Sequence, residues 1–313
     1  FTTGGTNTAV GRGSLYALTT GTKSTAVGYL AGSAMTTGIG NTFIGHLAGY
    51  QSLAGYNTII GDRAFDASTD STSTANVIIG ATAGSSINAN NIFIGHNAGV
   101  GGSGRLTDSV AIGRNALMST GANAATGIIA IGHYALTDLT TGTSTTVIGY
   151  EAGLSLTTGN NNTLIGYQAG RLLTHSSNVA IGTLAFDAAT SAEDSVVIGV
   201  LAGSDITTGD KNVLLGYRAG DNASTLGNSI GIGFESLGGA NSTLLTAGSD
   251  ITTGDGNVLL GYEAGRLLTS GAGNTFMGYR AARTATDSVV STVAIGYDAM
   301  YSNTDSQGNA AIG

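Results

Sequence analysis

The segment Gly227-Asn228-Ser229-Ile230-Gly231 has the G-x-S-x-G spacing of a nucleophile elbow. In an elbow, a serine on a sharp strand-to-helix turn attacks an acyl carbon. Four histidines, His46, His96, His133 and His175, offer general bases or metal ligands. Seven tyrosines, Tyr29, Tyr150, Tyr167, Tyr217, Tyr262, Tyr279 and Tyr297, share one place in a recurring pattern. They could form an aromatic ladder facing a sugar or another surface ligand.

Each chemistry makes a demand on its surroundings. The elbow needs a helix after the serine. Ser229 instead fills a slot that holds Ser24, Ser109 and Ser195 in other copies of the pattern. A metal site needs several converging ligands, and the chain has no cysteine. His46, His96 and His133 each stand where other copies carry a ladder tyrosine. No calcium loop of the D-x-[DN]-x-[DN]-G type occurs, and Lys23 and Lys211 lack the glycine spacing of a phosphate loop. No acidic cluster with Arg or Lys recurs in one repeat, as a pectate-lyase-like enzyme would need. The expectation is no catalytic, cofactor or metal site and no enzyme. The tyrosine ladder is the one candidate ligand-facing feature, and packing between neighbouring rings is its simpler explanation. Threonine-rich turns raise an ice-binding face as an alternative, but their lengths vary from copy to copy.

The wider composition agrees. In 313 residues there are 52 glycines and no proline, cysteine or tryptophan. Only 10% of residues are charged, yet 41% are apolar, too many for a disordered chain. Net charge is −8, with two lysines and nine arginines scattered along the chain. Nucleic acid is therefore not an expected partner, because phosphate neutralisation needs clustered cations. No window approaches the roughly 18 continuous apolar residues of a membrane span, so no membrane insertion is expected.

A repeat explains the positions of all these residues. Short apolar runs end in glycine, as in Thr8-Ala9-Val10-Gly11, Thr25-Ala26-Val27-Gly28 and Thr42-Phe43-Ile44-Gly45. Eighteen such landmark glycines follow one another to Gly313, and nine of the seventeen gaps are 17 residues. The one long gap, 28 residues, holds a degenerate copy, Ser242-Thr243-Leu244-Leu245, without its glycine. That makes nineteen expected coils. The residues one and three before the glycine share one face of a strand. The residue between them, such as Phe43, Ile78 or Leu164, is also apolar. Both faces should therefore be covered, as in parallel sheets. Ile165, on the first of those faces, is expected to pack inward between coils. Asn, Ser or Thr stands four before the glycine in every copy but one, where Ile128 intrudes. Stacked copies would form an amide ladder there. Ala or Ser three after the glycine marks a tight corner, and a polar turn, often Thr-Thr-Gly, absorbs the length changes.

Period-two apolar alternation and frequent glycine exclude helix. The expected fold is all-β: a parallel β-solenoid, or β-roll, of about 17 residues per coil. Residues 1–313 form a single repetitive domain. At about 4.8 Å per strand, nineteen coils give a rod on the order of 90 Å. A coil this small cannot cover both strand faces, so identical chains are expected to cover the outer one, most simply around a three-fold axis.

The copies Asn162-Thr163-Leu164-Ile165-Gly166-Tyr167-Gln168-Ala169-Gly170 and Val293-Ala294-Ile295-Gly296-Tyr297-Asp298-Ala299 resemble a known repeat. They look like the YadA-like head repeats of trimeric autotransporter adhesins. The 17-residue form also resembles repeats of phage tail-fibre proteins. The resemblance covers essentially residues 7 to 313. It implies a left-handed, intertwined homotrimer in an extracellular adhesive fibre on a cell surface or virion tail. It also implies attachment to a host-cell or surface receptor, glycans included. A rod that binds glycan or ice directly is the alternative. Gly203 to Tyr217 and Gly248 to Tyr262 match at 14 of 15 positions, as after duplication of a block of coils. Neither end shows the polar cap that solenoids need, so a longer parent chain is expected.

Overall fold

The computed structural model describes residues 5–66, 72–85, 87–101, 106–118, 125–221, 223–234, 236–237, 254–286, 289–304 and 307–313. Among them there is no helix, and every strand pair is parallel. The chain divides into two units, Phe1–Asn160 and Asn161–Gly313, and each is a β-solenoid.

In the first unit nine three-residue strands stack, from Thr8–Val10 and Thr25–Val27 to Ile129–Ile131 and Thr146–Ile148. The second unit stacks nine more, from Thr163–Ile165 and Val179–Ile181 to Val293–Ile295 and Ala310–Ile312. Register is strict: Thr8 pairs Thr25, Ala9 pairs Ala26, and Val10 pairs Val27. A one-residue slip would exchange the two faces, so the side-chain pattern holds this register. A short parallel sheet of Leu106–Thr107, Ala125–Thr126 and Gly142–Thr143 lines another side of the first unit.

Eighteen of the three-residue strands lie among the described residues. Ile230–Ile232 pairs directly with Val258–Leu260, the strands on either side of the degenerate copy. Ser242–Leu245 themselves lie outside the described residues. The landmark glycine itself has a physical reason. Successive backbones approach so closely at this corner that a Cβ on a landmark glycine such as Gly28 would meet the next carbonyl oxygen at 2.3 Å. Thr246 stands where that glycine would be.

Each coil turns through left-handed backbone at set places. Leu30, Leu47 and Gln168 have φ of 53°, 56° and 54° two residues after the glycine. Two residues later, Leu15, Phe65 and Phe186 have φ of 49°, 51° and 57°. These conformations are costly for residues with a Cβ, and only stacked neighbours can hold them.

The core is narrow, and the strand's inward position is two before the glycine. Phe43, Ile59, Ile78, Phe93, Val147, Leu164, Leu214 and Phe276 are fully buried there. Core volume is shared with the corner four after the glycine. Where the strand centre is small, as at Ala111, Ala130 and Ala180, that corner carries buried Leu117, Leu136 and Phe186. In several coils with a large centre the corner is glycine, and a Cβ on Gly99 or Gly170 would meet Phe93 at 2.4 Å or Leu164 at 2.9 Å. In these coils the two positions share one volume, as close packing requires.

The expected amide ladder is present. In the first unit, Asn41 Oδ1 accepts from Asn57 N at 2.9 Å, Asn57 Oδ1 from Asn76 N at 3.0 Å, and Asn76 Oδ1 from Asn91 N at 2.9 Å. In the second, Asn162 Oδ1 accepts from Asn178 N, and Asn178 Oδ1 from Ser195 N. The amide nitrogens donate to turn carbonyls of the next coil, as Asn178 Nδ2 does to Ala192 O at 2.9 Å. These groups are buried, so the ladder satisfies backbone that would otherwise be unpaired.

Candidate functional site

The outer face of each stack is the largest candidate surface. Residues one and three before the glycine point away from the core. Val27, Ile44, Ile94, Ile232 and Met277 are exposed, while Ile148, Ile165, Ile181 and Ile198 are half-buried. The inward placement expected for Ile165 is therefore corrected. A three-residue strand has one inner position, and Leu164 takes it. What remains outside is a column of uncharged Ile, Val, Leu and Met side chains beside a second column of Thr, Val and Ile, with Ala310 at the last coil, each repeated once per coil.

The seven ladder tyrosines are all exposed. The rings stack on neighbours one coil away. Tyr262 lies 5.3 Å from Tyr279 and Tyr279 5.1 Å from Tyr297, with planes within 19° and 9°. Tyr217 stacks on Phe234 at 5.2 Å, and Tyr29 on His46 at 5.5 Å. His133 meets Tyr150 edge-on at 5.6 Å. Tyr167 is exposed at the same place in its coil, and Thr183 takes the corresponding slot in the next. The separations follow the strand spacing, and each pair contributes about 0.5–1.5 kcal/mol. Stacking covers the ring faces, so the ladder presents edges and hydroxyls outward.

The remaining candidates resolve into structural contacts. Ser229 is buried: its N–H donates to Asn212 Oδ1, its Oγ donates to Gly227 O at 2.9 Å, and Asn257 N donates to that Oγ. It is a rung of the ladder. His46 Nδ1 lies 2.7 Å from Asp62 Oδ1. His175 Nδ1 lies 2.9 Å from Thr174 Oγ1. Among the described residues no three His, Cys, Asp or Glu side chains group as a metal site, and no helix is long and apolar enough to cross a membrane. The turn threonines direct their hydroxyls along the stack. Thr140 Oγ1 donates to Thr157 O at 2.8 Å, Thr190 Oγ1 to Thr207 O at 3.1 Å, and Thr207 Oγ1 to Ser224 O at 2.9 Å. This engages the donors that an ice-facing array would present.

One charged cluster has no counterpart in the sequence reading. The Glu263 side chain is fully buried and accepts from Arg283 Nε at 2.7 Å and Arg280 Nε at 3.1 Å. Arg283 Nη1 reaches Tyr301 Oη at 2.9 Å, and the Arg280 guanidinium lies 4.9 Å from the Tyr279 ring centroid. The hydrogen bond to Glu263 raises the pKa of Arg283 above the ordinary guanidinium range, against the opposing effect of burial. The missed signal was the 17- and 20-residue separations of these charges, which place them on adjacent coils.

Comparison with protein-family models, with curated proteins and with solved structures finds no match to this chain.

Proposed function

We propose that this chain is the repetitive shaft or head of a homotrimeric extracellular adhesive fibre, of the kind found in phage tail fibres and bacterial surface adhesins. It serves attachment mechanically, holding a binding tip away from the particle or cell and presenting its own flank to a surface receptor. The observation that carries this reading is the apolar outer face. Contiguous exposed apolar surface of more than a few hundred Å² marks an interaction site, and stable interfaces bury about 800 Å² per partner. A surface repeating once per coil is matched by a partner with the same repeat and little charge, and another copy of this chain has both. Three copies, each turning one flat face to a common axis, would close that surface with no edge left over. The similarity to adhesin head repeats supplies the number three.

The test is the mass of the purified chain by light scattering. Three times the 30.8 kDa chain mass, held on dilution to about micromolar concentration, is the expected result. A folded single chain would overturn the reading.

A further inference from the structure

We propose that the turn at Tyr56 is a saccharide subsite that holds one neutral pyranose ring. The inference names a ligand class for the fibre described above and rests on that reading.

The site originates in coil length. The glycine gaps here run 17, 16 and 19 residues, ending at Gly45, Gly61 and Gly80. The residue missing from the short coil is missing from its turn, where coil lengths vary. A depression of about 280 Å³ opens at this step, lined by Thr37, Ile39, Leu53, Tyr56 and Thr74 with small residues between them. The depression is open to solvent and shallow, so it would receive one face of a single sugar ring without enclosing it.

Tyr56 is held there against its own preference. Its φ is 62°, a genuine outlier for a bulky side chain, and its residue is 68% exposed. The same place in other coils holds Lys23, Gly40, Ala75, Asn90 and Asp108. Among the described residues the Tyr56 ring stacks on no other ring, unlike the ladder tyrosines. It rests instead on Gly40, where a Cβ would meet it at 3.0 Å. One ring face is thus left for a ligand beside a ready-made depression. Other coils share this left-handed place, but here it carries an exposed aromatic, a good platform for the C–H face of a sugar.

The lining sets the ligand class. Among the described residues it contains threonine hydroxyls and backbone groups but no acid, base or histidine, so a neutral, hydroxyl-rich ring fits.

The experiment is saturation-transfer NMR on the intact chain with methyl glucoside, methyl galactoside, methyl mannoside and N-acetylglucosamine, each at millimolar concentration, and glucuronate as the acidic control. At least one neutral pyranoside should receive saturation, strongest on one ring face, with Kd on the order of 1 mM, the scale that ligand efficiency sets for a single sugar. Tyr56→Ala should weaken it about tenfold or more, Tyr56→Phe should keep it within about threefold, and Tyr279→Ala should leave it unchanged. No transfer to any neutral pyranoside, or transfer that survives Tyr56→Ala, overturns the proposal. The mass of the same samples separates the two readings. A trimer without transfer sinks the subsite alone, and a folded monomer sinks the fibre whatever the sugars do.

Discussion

A Cβ on Gly166 would lie 2.3 Å from the carbonyl oxygen of Gly182, one coil further along, and Gly166 has φ of +142°. Gly166→Ala therefore meets both a strained backbone and an immovable carbonyl. It should lose about 2–4 kcal/mol and lower Tm on the order of 10 °C. Gly256→Ala is the control. It too sits at positive φ, +73°, but its nearest neighbour is 3.7 Å away, and Ala75 already occupies that place in another coil at φ 57°. It should lose only about 1 kcal/mol. Equal losses would mean that close approach is not what the landmark glycine serves.

The ladder makes a second prediction. Asn178 accepts from Ser195 N and donates to Ala192 O and Ser176 O, all at 2.9–3.1 Å. Asn178→Leu strands these groups and should lose about 3–5 kcal/mol, given about 1–3 for each buried unpaired group. Asn178→Ser keeps an acceptor, as Ser195 Oγ does for Asn212 N, and should lose about 1–2 kcal/mol. Denaturant melts at fixed chain concentration measure both. A Leu variant as stable as the Ser variant would remove the ladder from the energetics.

The architecture was legible because glycine and asparagine each recur for one physical reason, and both reasons survive in nearly every copy. The inner face was not. Ile165 and Leu164 are both apolar, and three residues of alternation cannot say which points inward. The deciding signal was six residues away, in the exchange of Ala180 and Phe186 for Leu164 and Gly170. The left-handed corners at Leu30 and Tyr56 were also hidden, because local propensity argues against them and only stacking holds them.

That exchange can be tested as a cycle. Ala180 and Phe186 are both fully buried in one coil. Ala180→Leu should overpack and lose about 1–3 kcal/mol. Phe186→Gly should open a cavity and lose about 3–5 kcal/mol. The double variant copies the Leu164–Gly170 arrangement and should recover at least about 2 kcal/mol of the summed loss. Additive losses would show that the two sites do not share volume.

Asp187 gives a pH prediction. Its pKa is raised above 3.8, chiefly by burial and in part by Asp205 and Asp221, while a backbone hydrogen bond and Arg171 pull the other way. A raised folded-state value means that the charged carboxylate opposes folding. The penalty is absent below pH 3.8 and grows as pH rises through the folded-state pKa. Asp187→Asn should therefore raise Tm at pH 7, by about 1–3 °C, and leave it unchanged at pH 3. A lower Tm at pH 7 would mean that the hydrogen bond and Arg171 outweigh burial.

Leu164 and Ile165 are adjacent in one strand and should fail in different ways. Leu164 is fully buried inside its coil. Leu164→Asp places an unpaired charge in the closely packed core, so the β-sheet circular dichroism signal should be lost. Ile165 lies on the outer face, half-buried within its own chain. Ile165→Asp leaves that core intact, and its carboxylate reaches water as long as the chain is alone. If three copies close on this face, the same carboxylate meets two others near the axis, where like charges repel and no cation balances them. The expected outcome is a chain that keeps its β signal but falls from the mass of three chains to that of one. A variant that stays trimeric would move the interface to another face. One that unfolds as Leu164→Asp does would show that coil and assembly form in a single step.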